Sequence, residues 1–242
     1  MQRETGERII YRADTRGGFD FGWLKTYHTF SFGHYFDPQR IHFGALRVLN
    51  DDTIQPGTGF GTHPHENMEI VSIPLRGALA HKDSMGHEQT LKVGEVQAMS
   101  AGTGITHSEY NASQTEEASF LQIWVMPEKQ NVTPRYAQRA FSFKKNEWTV
   151  VVSPDGDDAD GATGKPLSIN QSARFLLGEF DGGHQLTLAR ADERHGFYLF
   201  VIEGSVALGD EVLRRRDGAG IAGDLSIQVE ENSHLLLIEV PL

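Results

Sequence analysis

The chain has 242 residues, enough for one large domain or two small ones, and 38% of them are hydrophobic, which supports a buried core but not a membrane-embedded body. A formal net charge of −11 repels phosphate backbones, so direct binding of DNA or RNA is not expected. The absence of cysteine excludes disulfides, thiolate metal sites and cysteine nucleophiles, and fits a reducing cytoplasm.

The opening segment, MQRETGERII, is charged and lacks the apolar stretch of a secretory signal. No apolar run approaches the ~20 residues of a spanning helix. A cytoplasmic protein without membrane contact is therefore expected. An aromatic-rich block over 23–32 contains His28, read as a packing residue. Strand-sized apolar runs follow at 45–49, 69–73 and 120–125, bounded by turn-forming residues. Phe30, Phe32, Phe43 and Phe60 are expected mostly in the core, with one or two walling a pocket.

Between these runs lie two pairs of potential metal ligands. The first is Gly57-x5-His63-x-His65 and the second is His107-x-Glu109. Side chains two apart on an extended strand share a face. Each pair therefore presents two ligands to one point, and two such strands facing each other close around one ion. Three imidazoles and a carboxylate suit a borderline divalent transition metal. Strand geometry leaves the carboxylate open, because Glu69, expected on the same strand face as His65, serves as well as Glu109. His81 and Asp83 also share a face and are read as a polar pair at a barrel rim.

The best break lies over 127–135, a polar stretch carrying Pro127 and Pro134. An acidic, turn-forming segment over 153–161 reads as an exposed loop. It is not a calcium loop, because Pro166 stands where the EF-hand order needs its final glutamate. Further strand-like runs occupy 197–202, 205–208 and 235–240, with hairpin corners at Glu203-Gly204 and Gly209-Asp210. Arg214-Arg215-Arg216 reads as a solvated turn or protected strand edge. His195 and His234 lack companions with ligand spacing. The expectation is an all-β chain of two tandem barrels, 1–134 and 135–242, with the metal site in the first and none in the second.

The series Gly57-x5-His63-x-His65-x3-Glu69-x7-Gly77 is similar to the first motif of the cupin superfamily, and 94–111 approximates the second, with His107-x3-Asn111 in register. Within that superfamily the chain strongly resembles the pirin family through the stretches GWLKTYHTFSF (22–32), GFGTHPHENMEI (59–70), DSMG (83–86) and MSAGTGITHSEYN (99–111). The closest likeness is to bacterial pirin-like proteins with quercetin 2,3-dioxygenase activity.

The resemblance implies a bicupin, two jelly-roll barrels in tandem. It also implies metal ligation by His63, His65, His107 and Glu109, with Glu69 left to a supporting role. The implied cofactor is one divalent transition metal, iron(II) favoured, with zinc, copper, nickel, manganese or cobalt also admissible. The implied reaction opens a flavonol with dioxygen and releases carbon monoxide, with Glu109 taking the proton of the substrate hydroxyl. The expected partners are thus a small flavonol-like aromatic and dioxygen. The alternative is a metal-dependent regulatory cupin that binds a protein partner as a transcriptional or metabolic co-regulator.

Overall fold

The structure, a computed structural model, describes residues 8–159 and 164–242; the first seven residues of the opening segment and residues 160–161 of the acidic loop lie outside the described residues. Apart from one short turn of 3-10 helix at Ala13–Thr15, the regular elements described are strands. They form two barrels, each a seven-stranded sheet facing a four-stranded one. In the leading barrel the large sheet runs Arg135–Ala140, Glu95–Ser100, Glu69–Arg76, Ala118–Val125, Leu46–Ile54, Leu24–His28, Gly17–Asp20. Its small sheet runs Gly59–His65, Ile105–Asn111, Ala78–Asp83, Glu88–Lys92. The trailing barrel repeats the plan.

The two large sheets pack face to face. Leu49, Val71, Leu121 and Ile123 of the first join Phe175, Leu177, Phe200 and Leu236 of the second in one apolar layer. Alternate residues on the same strands point the other way, into the barrels: Leu176, Leu199 and Leu237 fill the trailing one. A sheet buried on both faces needs apolar residues at consecutive positions. That is why the strands His195–Glu203 and Ser233–Pro241 read as near-continuous hydrophobic runs rather than alternating ones.

The expectation of an all-β, two-barrel chain is met, and each strand-like run falls inside a strand except that Ala45 precedes the strand Leu46–Ile54 by one residue. The corner at Gly204 has φ 88°, and a Cβ there would lie 2.3 Å from Ser233 Oγ, so glycine is required. Strand pairing crosses the expected division at 134/135 in both directions. Arg8–Tyr11 pairs with Gly218–Ile221 at the edge of the trailing sheet. Arg135–Ala140 pairs with Glu95–Ser100 at the edge of the leading one. Each crossing segment covers a strand edge that would otherwise be unpaired.

The arginine run also departs from expectation. Arg214 and Arg215 are exposed, but Arg216 is buried, its Nε 3.0 Å from Asp51 of the leading barrel. The reason is a left-handed turn at Arg216, φ 68°, which aims its side chain back at the junction.

Candidate metal centre

The interior of the leading barrel has apolar ends and a polar middle. Leu24, Ile54, Leu79, Leu91 and Phe120 plug one end, while Ile70, Met99, Ala101 and Ile105 line the other. Between them a polar row crosses five strands in register: Gln97 beside Ser72, Ser72 beside Gln122, Gln122 beside Asn50, Asn50 beside His28. All five are buried. The four-stranded sheet lies across from this row and carries the histidines.

His63 and His65 sit near the end of Gly59–His65, and His107 sits directly opposite His63 on Ile105–Asn111. A bulge interrupts the pairing between His107 and Glu109. The close approach there depends on Gly59, where a Cβ would lie 2.4 Å from the Glu109 carbonyl oxygen. The three imidazoles meet through the same atom. His107 Nε2 is 2.9 Å from His65 Nε2 and 3.0 Å from His63 Nε2.

This convergence is informative. His63 donates its Nδ1 proton to the Gly61 carbonyl at 2.8 Å, which leaves its Nε2 as a bare lone pair. His107 Nε2 has at most one proton and cannot donate to both neighbours. Three nitrogens bonded at about 2.1 Å to one centre, at right angles to each other, stand about 3 Å apart. Both distances from His107 are therefore those of neighbouring ligands on one ion, and the three residues can hold a metal ion. Burial and the neighbouring imidazoles favour the neutral form of two of them: His107 is pushed down to about 2, and His65 to about 4. His63 and His65 are half-buried while His107 is 1% exposed, so the trio is reached from the barrel mouth.

Glu109 lies deeper, 2% exposed, one position further along the inward face of the His107 strand. Its Oε2 accepts from Gln122 Nε2 at 2.7 Å and its Oε1 from Ser72 Oγ at 3.3 Å, so the polar row holds it from across the barrel. Burial raises its pKa to about 7 against the pull of those two hydrogen bonds. Its donor atoms gather with those of His107 and His81.

Two expectations are corrected here. His81 and Asp83 are not at a rim. They pair with Glu109 and His107 across the sheet, which turns both inward, and they are 1% and 8% exposed. Glu69 is not on the strand of His65: the chain turns at Asn67, φ 48°, and Glu69 opens the next strand on the face turned toward the trailing barrel. Its Oε2 accepts from Ser100 Oγ at 2.8 Å and from the Asn170 backbone N–H at 3.0 Å, partners that lie away from the three histidines. Glu69 is a tie at the junction of the barrels.

Of the four phenylalanines, Phe30 and Phe43 lie in the layer between the sheets. Phe60 packs on Trp23 and the edge of His63. Phe32 lines a cavity of about 360 Å³ with Met68, Arg47 and Trp124. Trp124, which sequence reasoning did not single out, stands between this cavity and the trio, its ring 5.2 Å from Phe32 and 4.9 Å from His65. A second, more open cavity of about 420 Å³ touches His65 from the other side, between Pro64 and Ile105. His28 packs against Phe19 and Phe32, away from the trio.

Residues 11–125 match the pirin family, and residues 150–240 match the family described as the quercetinase C-terminal cupin domain. A quercetin 2,3-dioxygenase of Escherichia coli is 41% identical over 237 residues, covering 96% of this chain and 99% of its own. A putative quercetin 2,3-dioxygenase of Zymomonas mobilis is also 41% identical, over 95% of this chain and 97% of its own. Among solved structures, the bacterial pirin YhhW of Escherichia coli in complex with nickel(II) superposes with a TM-score of 0.89 at 40% identity, over 97% of this chain and 99% of that one. The two barrels with their histidine trio, and this likeness along nearly the whole length, identify the chain as a member of the pirin family with a bicupin fold.

Proposed function

We propose that the chain is a metal-dependent dioxygenase of the quercetin 2,3-dioxygenase type, with His63, His65, His107 and Glu109 as ligands of one divalent transition metal, iron(II) favoured. The observation that carries this reading is the meeting of three Nε2 atoms at 2.9 and 3.0 Å. The names of the similar proteins support the substrate class, a flavonol, with dioxygen as co-substrate. The metal chemistry belongs to the leading cupin, and the trailing one has no part in it.

In the proposed reaction a flavonol and dioxygen give a ring-opened depside and carbon monoxide. The bound metal supplies Lewis-acid polarisation of the substrate oxygens and a path for electrons to dioxygen. The protein supplies the rest. Glu109 accepts the proton of the flavonol 3-hydroxyl, and its burial favours the protonated form of the carboxyl. Ser72 and Gln122 hold the Glu109 carboxylate in place. Trp124 and Phe32 offer apolar surfaces to a flat aromatic ring at the mouth.

The test is to strip the protein, reload it anaerobically with each candidate metal, and follow dioxygen uptake and carbon monoxide release against a panel of flavonols. Turnover that depends on the metal is expected. Substantial flavonol cleavage by metal-free protein, or none with any metal, refutes the proposal.

A further inference from the structure

We propose that His81, His107 and Glu109 form a second, deeper position for a divalent transition-metal cation, overlapping the first through His107 and Glu109. The inference rests on the reading of the histidine trio as a metal centre and goes beyond it by assigning His81 as a ligand. The donor atoms of the three residues lie within 4.8 Å of one another. Bonds of about 2.0–2.2 Å need donors no more than about 4.3 Å apart, so small movements of the side-chain ends close the set. All three residues are nearly inaccessible, at 1%, 1% and 2% exposure, whereas His63 and His65 are half-buried.

Hydrogen bonding fixes which nitrogen of His81 is left to bind. Asp83 Oδ1 accepts the backbone N–H groups of Met85 and His87 at 2.9 and 3.1 Å. Asp83 Oδ2 lies 3.1 Å from His81 Nε2 and 2.9 Å from His87 Nδ1. An ionised carboxylate only accepts, so His81 carries its proton on Nε2 and its Nδ1 is a bare lone pair. That Nδ1 is buried with no partner. Buried polar atoms in folded proteins are almost always satisfied, so an orphan calls for an explanation.

The surroundings are those of a ligand. A metal-binding imidazole characteristically donates its other N–H to a carboxylate, and ligating carboxylates are themselves hydrogen-bonded. His81 has Asp83 in the first role, and Glu109 has Ser72 and Gln122 in the second. Tyr136 stacks on the His81 ring at 4.2 Å and holds its plane. A bulk-facing histidine has no use for such a frame.

The two positions separate by mutation because they share only His107 among the histidines. In the double variant His63→Ala/His65→Ala, which alters two half-buried residues and none of the deeper set, copper(II) is the probe. One copper per chain is expected, bound at least ten-fold more weakly than by the wild type, with an electron paramagnetic resonance splitting from two imidazole nitrogens. Adding His81→Gln, or separately Glu109→Gln, should remove that copper and its spectrum while circular dichroism stays that of the folded barrel.

A double variant that binds no copper overturns the deeper position, and so does a spectrum unchanged by both added substitutions. Wild-type protein that takes up no copper would instead sink the metal reading of the trio. Flavonol turnover is not the readout, so failure of the proposed reaction leaves this result standing.

Discussion

The two barrels share a plan and differ in what fills them. The trailing barrel is packed with hydrocarbon: Phe197, Leu199 and Val201 on one strand meet Val206, Leu225 and Ile227 from the opposite sheet. At comparable depth the leading barrel carries Gln97, Ser72, Gln122 and Asn50 on one sheet and His107, Glu109, His81 and Asp83 on the other. Apolar filling stabilises by removing surface from water. A polar interior gives up part of that and is tolerated only where hydrogen bonds or a ligand satisfy it. The leading barrel is also anchored from outside, because its large sheet packs against its neighbour through the shared apolar layer. One barrel thus serves as foundation, and the other is freed to be a site.

This contrast is open to direct attack. The largest effect is expected from His107→Ala, which removes the imidazole common to both nitrogen contacts of the trio. Metal affinity should fall by more than the roughly 10–100-fold typical of losing a supporting residue, and turnover should vanish. Metal titration and flavonol assays check this, and retained metal would break the division of labour between the barrels.

The mirror experiment is Phe197→Ala, a fully buried ring of the trailing interior. It should cost about 3–5 kcal/mol of stability, read by chemical denaturation, with metal affinity of the folded protein unchanged. A large loss of affinity would mean that the barrels are not functionally separate.

A smaller effect is expected from Gln122→Leu, which removes the 2.7 Å hydrogen bond to Glu109. A fall of about 10–100-fold in metal affinity or activity is expected for a supporting contact of this kind. Unchanged affinity and activity would show that the polar row does not position the carboxylate.

The smallest is a pH effect at Asp52, a fully buried carboxyl pushed up to about 7 by burial, with Asp51 and Glu109 adding repulsion. The unfolded chain releases this proton near 3.8, and the folded chain holds it until about 7. Across that window the folded state binds more protons, so stability falls as pH rises. Asp52→Asn abolishes the penalty. The melting temperature of the variant relative to wild type should therefore rise between about pH 5 and pH 8, and a constant difference would contradict the assignment.

Much of this was legible in the residues. The doublets His63-x-His65 and His107-x-Glu109 mark candidate ligands, because a period of two is enough to put each pair on one face, while the choice of Glu109 over Glu69 came from the family resemblance and not from spacing. The placement of Glu69 was not legible, since counting along the chain does not reveal the left-handed turn at Asn67 that sends it to another sheet. That His81 and Asp83 share a face follows from their spacing of two. Which face that was depended on pairing with His107 and Glu109, a non-local fact.

The polar row was written in the strands as single polar residues amid apolar ones, Ser72 in EIVSIPLR and Gln122 in ASFLQIWV. Only register turns such isolated letters into a row. Arg216 was hidden for the same reason, its partner Asp51 lying in the other half of the chain.

The most direct measurement is anomalous scattering from crystals of the protein loaded with nickel(II). A strong peak about 2.1 Å from the Nε2 atoms of His63, His65 and His107 is the predicted result. Loaded crystals with no peak within bonding reach of those three nitrogens would contradict it.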